Sequence, residues 1–217
     1  MTDKIQSGFF DKISSNFDTI YDDKDKSHIK RVIDNTLRAS VRARLSRTLE
    51  LCNPIKSRRF MDIGCGGGRL IYELAKRDAS FIAGCDISKE MLYLASKRLK
   101  GIIHNSNIQF YQKDIMDIIP DTRFDISIAL GVFEYFDDVS KPLKTISSFT
   151  TDKIIFSLPK KFHILTPIRK FRYHLKSCPL FFYSKKDIMN LMAKSGLVKY
   201  DILSVHRDYL IVVHLSG

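Results

Sequence analysis

Two kinds of hydrophobic spacing divide the chain near residue 52. In the N-terminal part, apolar side chains recur every three or four residues, which predicts amphipathic helices. The clearest apolar stripe lies between Ser27, a possible helix cap, and Leu51. From residue 59 onward, short apolar runs alternate with helical stretches. The sequence therefore predicts an N-terminal helical unit, residues 1–52, followed by a second unit of strands and helices, residues 53–217.

The second unit contains seven strand-like runs with helical stretches between most of them. The runs occupy 59–63, 80–85, 108–111, 124–130, 153–158, 197–205 and 208–215, and the helical stretches 67–77, 88–100, 140–149 and 184–195. Such alternation predicts an α/β fold, a mostly parallel sheet covered by helices on both faces. The last two strands are joined tightly near Arg207, which predicts an antiparallel hairpin at the edge of the sheet. An irregular insertion, 159–183, precedes the last helix.

Composition agrees with an ordinary globular protein. The chain has 217 residues, of which 44% are hydrophobic and 28% charged. No apolar run approaches 18 residues, so we expect no membrane span, and the N-terminus lacks the pattern of a secretion signal. A cytoplasmic location is the expectation. The net charge of +12 is spread over scattered lysines, which favours a solvated basic surface over a nucleic-acid partner.

The stretch FMDIGCGGGRL, residues 60–70, marks a candidate binding site. Four of the five residues from Gly64 to Gly68 are glycines, Cys65 being the exception, and they lie between the first strand and the next helix. Glycines let a ligand approach bare backbone, and the start of a helix offers free N–H groups. In open α/β sheets, ligands bind at the carboxyl ends of the strands, where this turn falls.

Two ligand classes compete for this turn. A dinucleotide fingerprint needs a further glycine, but Gly64, Gly66 and Gly68 are followed by Arg69 and Leu70, and the Lys-Ser/Thr pair of a phosphate-binding loop is also absent. Asp62, two residues before the first glycine, would repel a pyrophosphate and attract an ammonium or sulfonium group. S-adenosylmethionine carries both of these cations, so the turn favours this cofactor over a dinucleotide.

The D-x-G-x-G-x-G run resembles the first motif of class I S-adenosylmethionine-dependent methyltransferases, and the order of elements over residues 58–216 resembles that family. The resemblance implies a Rossmann-like seven-stranded sheet with residues 1–52 as a helical lid. It also implies S-adenosylmethionine as cofactor, with Asp62, Gly64, Cys65, Gly66 and Gly68 in the first contact region. Further cofactor residues follow at other strand ends: Asp86 for the ribose hydroxyls, Ile87, Met91 and Ile115 beside the adenine, Asp114 for its amine, and Leu130 and Gly131 near the methionine part.

An acid at position 86 is also a feature of NAD-binding proteins, so it supports a nucleoside ligand without separating the two cofactors.

The methyl acceptor has a weaker signature. The stretch LGVFEYF, residues 130–136, resembles the place where small-molecule methyltransferases carry Glu-His. Glu134 is a candidate general base and Tyr135 a candidate to close over the acceptor; alternatively, Glu134 positions the next loop and Tyr135 packs. The insertion 159–183 would form a wall of the acceptor pocket, and His163 and His174 are its candidate contacts. The Asn/Asp-Pro-Pro-Tyr/Phe run of amide and adenine-amine methyltransferases is absent here.

No metal site is predicted. Asp137 and Asp138 could contribute to a magnesium site, but they fit better as the start of the helix that contains Pro142. Likewise, Ser184 and Asp187 are spaced as a helix-capping pair.

Three functional hypotheses follow. The favoured one is an O- or N-methyltransferase acting on a small molecule, and the arrangement of elements is similar to magnesium-protoporphyrin O-methyltransferases and ubiquinone-pathway methyltransferases. The second is an RNA or protein methyltransferase that uses the basic surface. The third is a non-catalytic protein that binds S-adenosylmethionine or NAD, which the acids Asp62, Asp86 and Asp114 and the glycine spacing disfavour. The oligomeric state is open.

Overall fold

The computed structural model of the chain describes residues 28–101, 107–163, 166 and 180–216, with side chains from Arg38 onward in the first helix. Residues 1–27 of the predicted N-terminal helical unit lie outside these residues, as does His174. Within the described ranges, five α-helices and seven strands follow in chain order. They are α1 His28–Leu51, β1 Arg59–Ile63, α2 Arg69–Ala75, β2 Phe81–Cys85, α3 Lys89–Leu99, β3 Asn107–Tyr111, β4 Phe124–Ala129, α4 Ser140–Phe149, β5 Thr150–Pro159, α5 Lys185–Ser195, β6 Tyr200–Val205 and β7 Asp208–His214.

All seven strands form one sheet in the order β3-β2-β1-β4-β5-β7-β6. Neighbours from β3 to β5 run parallel, whereas β7 is antiparallel to both β5 and β6. The predicted mostly parallel sheet with a C-terminal hairpin is therefore confirmed. The hairpin folds back so that β7, not β6, pairs with β5, and the register runs from Lys153 opposite His214 to Pro159 opposite Asp208.

Strand β5 is longer than the sequence pattern predicts. It begins at Thr150, three residues before the predicted run, and follows α4 without a loop. The polar start of this strand pairs with β4 across a register shift after Phe124, and the Thr150 hydroxyl is within 2.6 Å of Ser127 Oγ. Polar side chains bonded inside the sheet interrupt the apolar run, so the pattern underestimates the length of the strand.

Helix ends agree with the predicted capping residues. The Ser184 hydroxyl accepts a hydrogen bond from the Asp187 N–H at 3.2 Å, and the Asp187 carboxylate accepts one from the Ser184 N–H at 2.8 Å. This reciprocal pair confirms the predicted capping box at the start of α5. Asp138 accepts hydrogen bonds from the Ser140 N–H and hydroxyl at the start of α4, as expected from the sequence.

The hydrophobic core lies on both faces of the sheet. On one face, Phe133 and Phe156 pack with α4 and α5; on the other, Ile126 and Ile128 pack with α2 and with the residues that follow α1. Leu49 and Cys52 belong to this second cluster, so the end of α1 is packed onto the sheet domain. The division at residue 52 into lid and catalytic domain stays a prediction. Among the described helices, none is long and apolar enough to cross a membrane.

The predicted insertion is described at its two ends, residues 159–163 with 166, and 180–183. These ends are paired with each other, because the Tyr183 N–H donates to the Pro159 carbonyl at 2.9 Å and the Lys161 N–H donates to the Tyr183 carbonyl at 2.8 Å. The segment therefore leaves and rejoins the fold at one place, beside the end of β5.

Candidate functional site

A cavity of about 370 Å³ opens at the carboxyl ends of β1 to β4. Helix α1 contributes Val41, Arg44 and Leu45 to its wall, and the turn between β6 and β7 contributes Arg207. Eleven of the twelve predicted cofactor residues line it: Asp62, Gly64, Cys65, Gly66, Asp86, Ile87, Met91, Asp114, Ile115, Leu130 and Gly131. Glu134 and Tyr135 line it as well. The fold thus brings together residues that the sequence analysis assigned to different strand ends.

Close backbone packing explains the glycines at positions 64 and 68. Gly64 has a φ of 63°, and a Cβ built on it would lie 2.3 Å from Val132 Cγ2, so the turns after β1 and β4 touch here. Gly68 has a φ of 72° and would place a Cβ 2.8 Å from that of Ala95 in α3. Gly68 is the one predicted cofactor residue not found in the cavity wall. The contact described for Gly68 is with α3, so the missing side chain lets the start of α2 pack closely against α3.

Asp62 is the most unusual side chain of the site. It lies near the end of β1, paired with Gly84 and Ile128 on the two neighbouring strands, and is only 4% exposed. Within the described ranges, no group donates a hydrogen bond to its carboxylate. Burial raises the pKa of the Asp62 carboxyl well above its usual range, and the nearby charge of Asp86 raises it further. A buried carboxylate without donors is costly, and a cationic ligand in the cavity would relieve that cost.

Backbone groups hold Asp86 and Asp114 in place. Asp86 accepts hydrogen bonds from the Gly66 N–H and the Ser88 N–H, both at 2.9 Å, and so ties the glycine turn to the end of β2. Asp114 Oδ1 accepts from the Met116 N–H at 2.8 Å. Asp114 lines the cavity, and its Oδ2 accepts no hydrogen bond from the described residues. A fixed acid with an unused acceptor is suited to binding a ligand hydroxyl or amine.

The other end of the cavity is formed by a single 3₁₀ turn, Phe133–Tyr135, after β4. Phe133 is fully buried against Phe136 and Phe156, which fixes the turn. Glu134 is 4% exposed, and its carbonyl accepts a hydrogen bond from the Phe181 N–H at 2.8 Å. The end of the insertion is thereby attached to the turn that carries Glu134 and Tyr135.

Four arginines in the wall, Arg44, Arg69, Arg98 and Arg207, were not predicted as site residues. Arg44 Nη1 donates to Ser157 Oγ at 3.4 Å and to Asp208 Oδ2 at 3.3 Å, which joins α1 to β5 and β7. Arg207 lies in the turn before Asp208. The basic stretch 38–47 and the tight connection at Arg207 are visible in the sequence, but nothing there indicates that they meet.

His163 does not belong to the wall of this cavity. It is half-buried beside Lys160, Arg207, Asp208 and His206; burial lowers its pKa, and the charges of Lys160 and Arg207 lower it further. Its neighbour Arg207 borders the cavity, so His163 lies just behind the wall. A role in acceptor binding stays a prediction for His163.

The Asp138 carboxylate accepts hydrogen bonds that stabilise the fold. Hydrogen bonds from Ser140 and from Lys194 lower its pKa to about 2. Among the described residues, no three His, Cys, Asp or Glu side chains are grouped as a metal site requires. The prediction of a metal-free site remains a prediction.

Comparison with known proteins assigns the family. A family model described as a methyltransferase domain matches residues 55–171, more than half of the chain. The chain belongs to this methyltransferase family. The membership confirms the resemblance drawn from the glycine turn, and with it the enzyme class, a methyltransferase that depends on S-adenosylmethionine.

Relatives with curated names match part of this methyltransferase. A magnesium-protoporphyrin O-methyltransferase of Rhodobacter capsulatus is 30% identical over 129 residues, 58% of this chain and 54% of the relative. A release factor glutamine methyltransferase of Lactococcus lactis is 31% identical over 106 residues, 48% of this chain and 38% of the relative. The matched segments span about half or less of the length of these relatives.

A solved structure shows the same fold over nearly the whole chain. The magnesium protoporphyrin IX methyltransferase of Synechocystis PCC 6803, crystallised with bound S-adenosylhomocysteine, superposes with a TM-score of 0.75 at 19% identity. The superposition covers 98% of this chain and 99% of that one. The seven-stranded sheet and its helices therefore form a methyltransferase fold.

Proposed function

We propose that this methyltransferase transfers the methyl group of S-adenosylmethionine to an oxygen or nitrogen atom of a small-molecule acceptor. The observation that carries the proposal is the Asp62 carboxylate, buried without a hydrogen-bond donor among the described residues, in the wall of a cavity that also contains Glu134 and Tyr135. The end that contains Asp62 would bind the cationic cofactor, and the end that contains Glu134 and Tyr135 would bind the second reactant.

The residues present fit the cofactor. Asp62 would hold the ammonium group of its methionine part, Asp86 would accept the ribose hydroxyls, and Asp114 would accept the adenine amine through Oδ2. Ile87, Met91 and Ile115 would border the adenine. These assignments rest on the wall positions and on the hydrogen bonds that the acids already make.

Bound S-adenosylmethionine supplies an activated methyl group, so the protein mainly has to align the acceptor and keep water out. When the acceptor atom carries a proton, Glu134 is our candidate for receiving it, because this carboxylate is buried in the cavity wall. Tyr135 is the candidate for closing over the acceptor. The hydrogen bond from Phe181 to the Glu134 carbonyl would keep this turn in place during the reaction.

The enclosure of the cavity supports a small acceptor. Val41, Arg44 and Leu45 of α1 cover one side of it. Relatives named for magnesium-protoporphyrin and for ubiquinone biosynthesis agree with an O-methyltransferase.

A second candidate is an RNA or protein methyltransferase. The net charge of +12 and the relative named for a release factor glutamine favour it. A nucleic-acid substrate would bind with an affinity that falls steeply as salt increases. Weak binding of a labelled RNA even at 50 mM salt would exclude RNA as the substrate, and a lack of methyl transfer to proteins of a cell extract would exclude a protein substrate.

Calorimetric titration with S-adenosylmethionine, S-adenosylhomocysteine and NAD tests the cofactor, and we expect micromolar binding of the first two and none of NAD. Transfer of tritiated methyl groups to a panel of phenols, carboxylic acids and amines then tests the acceptor class. Label on a phenol, acid or amine, reduced in a Glu134→Gln variant that still binds S-adenosylhomocysteine, would support the proposal. Absence of cofactor binding would refute it.

A further inference from the structure

Arg44 has hydrogen-bonding capacity that the described residues do not use. Its side chain is 14% exposed, and both of its bonds to described residues, to Ser157 and to Asp208, are made by Nη1. Within the described part of the chain, Nη2 and Nε donate no hydrogen bond. A Cβ built on Gly131 would lie 3.3 Å from Nη2, so this end of the guanidinium faces the turn after β4 in the cavity wall.

A guanidinium group offers two parallel donors that match the two oxygens of a carboxylate. Asp208, which is 3% exposed, already fixes Arg44 from the side of β7. A guanidinium held in this way loses little conformational entropy when it binds a second anion, and its unused donors point to a partner with oxygen acceptors.

The charges around Arg44 favour an anion as well. Arg44 and Arg207 border this end of the cavity, and Lys160 lies beside Asp208. Asp208 faces Arg44 from β7, and Glu134 lies in the same cavity wall. An anionic group of a ligand at this end would be attracted by the two arginines.

The position of Arg44 relative to the sheet indicates which reactant carries that anionic group. Among the candidate cofactor acids, Asp62 lies in β1 and Asp86 and Asp114 follow β2 and β3, whereas Arg44 bonds to β5 and β7 on the far side of β4. Building on the proposed function, we propose that the methyl acceptor carries a carboxylate or similar anionic oxygen group, and that Arg44 binds it.

The experiment measures the affinity of matched acids and amides for protein saturated with S-adenosylhomocysteine. The probes are benzoate with benzamide, phenylacetate with phenylacetamide, and acetate with acetamide, titrated by calorimetry. We expect the wild-type protein to bind at least one acid about tenfold or more tightly than its amide, the size expected for one charged hydrogen-bonded contact.

The main variant is the double substitution Arg44→Met with Asp208→Asn, because removal of Arg44 alone would take a cationic partner away from the buried Asp208 carboxylate. The matched control is Arg47→Met, one helical turn away, whose side chain is 47% exposed and bonds to Glu50. We expect the double variant to lose the preference for acids and to keep its affinity for S-adenosylhomocysteine. The control should keep both.

Three results would overturn the inference. The wild-type protein could show no preference for any acid, or the preference could survive in the double variant. The double variant could also bind S-adenosylhomocysteine much more weakly, which would assign Arg44 to the carboxylate of the cofactor. Failure of the wild-type protein to bind S-adenosylhomocysteine is a separate result, because it refutes the proposed function on which this inference rests.

Discussion

Replacement of Asp62 by Asn should change stability and cofactor binding in opposite directions. The buried Asp62 carboxylate has no hydrogen-bond donor among the described residues, and its pKa is raised by burial and by Asp86. A raised pKa means that the folded protein binds this proton more tightly than the unfolded chain does. The free energy of unfolding therefore falls as the pH rises from the unfolded pKa of the carboxyl to its folded pKa. At pH 8, well above the unfolded pKa, this carboxyl therefore lowers stability, and the neutral amide of Asn removes that penalty.

The same substitution removes the proposed partner of the cofactor ammonium. A hydrogen bond to a charged group contributes about 1.5–3 kcal/mol, so the Kd for S-adenosylhomocysteine should rise by at least about tenfold. A ligand at 100 times its Kd stabilises the wild-type protein by about 2.7 kcal/mol; at the same concentration, a tenfold weaker variant gains only about 1.4 kcal/mol. For a domain of this size, the ligand-induced rise in Tm should shrink by about 3–5 °C.

Thermal unfolding at pH 8, with and without S-adenosylhomocysteine, measures both effects in one assay. The expected result is a higher Tm for the ligand-free variant and a smaller rise on addition of ligand. Asp201→Asn is the control, since Asp201 lies on the edge strand β6 with a side chain that is 66% exposed. The reasoning would be refuted if the ligand-free variant melted lower than the wild type, or if its ligand-induced shift were unchanged.

Three further predictions follow from the site. The affinity for S-adenosylmethionine should increase as the pH rises through the raised pKa of Asp62, because only the ionised carboxylate binds the ammonium; calorimetry at a series of pH values above the usual carboxyl range should show this trend in the wild type and none in Asp62→Asn. Asp86→Ala should raise the Kd for S-adenosylhomocysteine by about tenfold or more and lower the Tm, since the Gly66 and Ser88 N–H groups lose their acceptor. Gly68→Ala should destabilise the protein by about 1–3 kcal/mol in urea unfolding, because its methyl group would overlap with Ala95.

The sheet and the proposed cofactor end of the cavity could largely be predicted, because short continuous stretches of the sequence indicate each of their elements. The bounds of β1 are those predicted from one apolar run, and the bounds of α4 are those predicted from one helical stretch. The parallel sheet then brings the strand ends to one edge, so Asp62, Asp86 and Asp114 had to meet once their strands were recognised. Gly68 was assigned to the cofactor because the motif treats its glycines alike, whereas the structure distinguishes a glycine packed on Ala95 from those in the cavity wall.

The acceptor end was harder to predict because its contacts join distant parts of the chain. Arg44 bonds to Ser157 and Asp208, which lie 113 and 164 residues further along the sequence. No spacing rule connects a helical arginine with a hydroxyl at the end of β5 and an acid at the start of β7. These three side chains meet only because the hairpin folds back to place β7 beside β5 and because α1 lies across the ends of both strands.

This arrangement links acceptor recognition to the docking of α1. The position of the Arg44 guanidinium depends on one anchor in the helix and another in the hairpin. The proposed cofactor acids depend instead on the ends of β1 to β3 and on the backbone N–H groups of Gly66, Ser88 and Met116. A shift of α1 relative to β7 would therefore displace the proposed anion-binding group and leave Asp62, Asp86 and Asp114 in place. Cofactor affinity and acceptor selectivity should consequently respond to different substitutions, the former to changes at the ends of β1 to β3 and the latter to changes that move α1 or the hairpin.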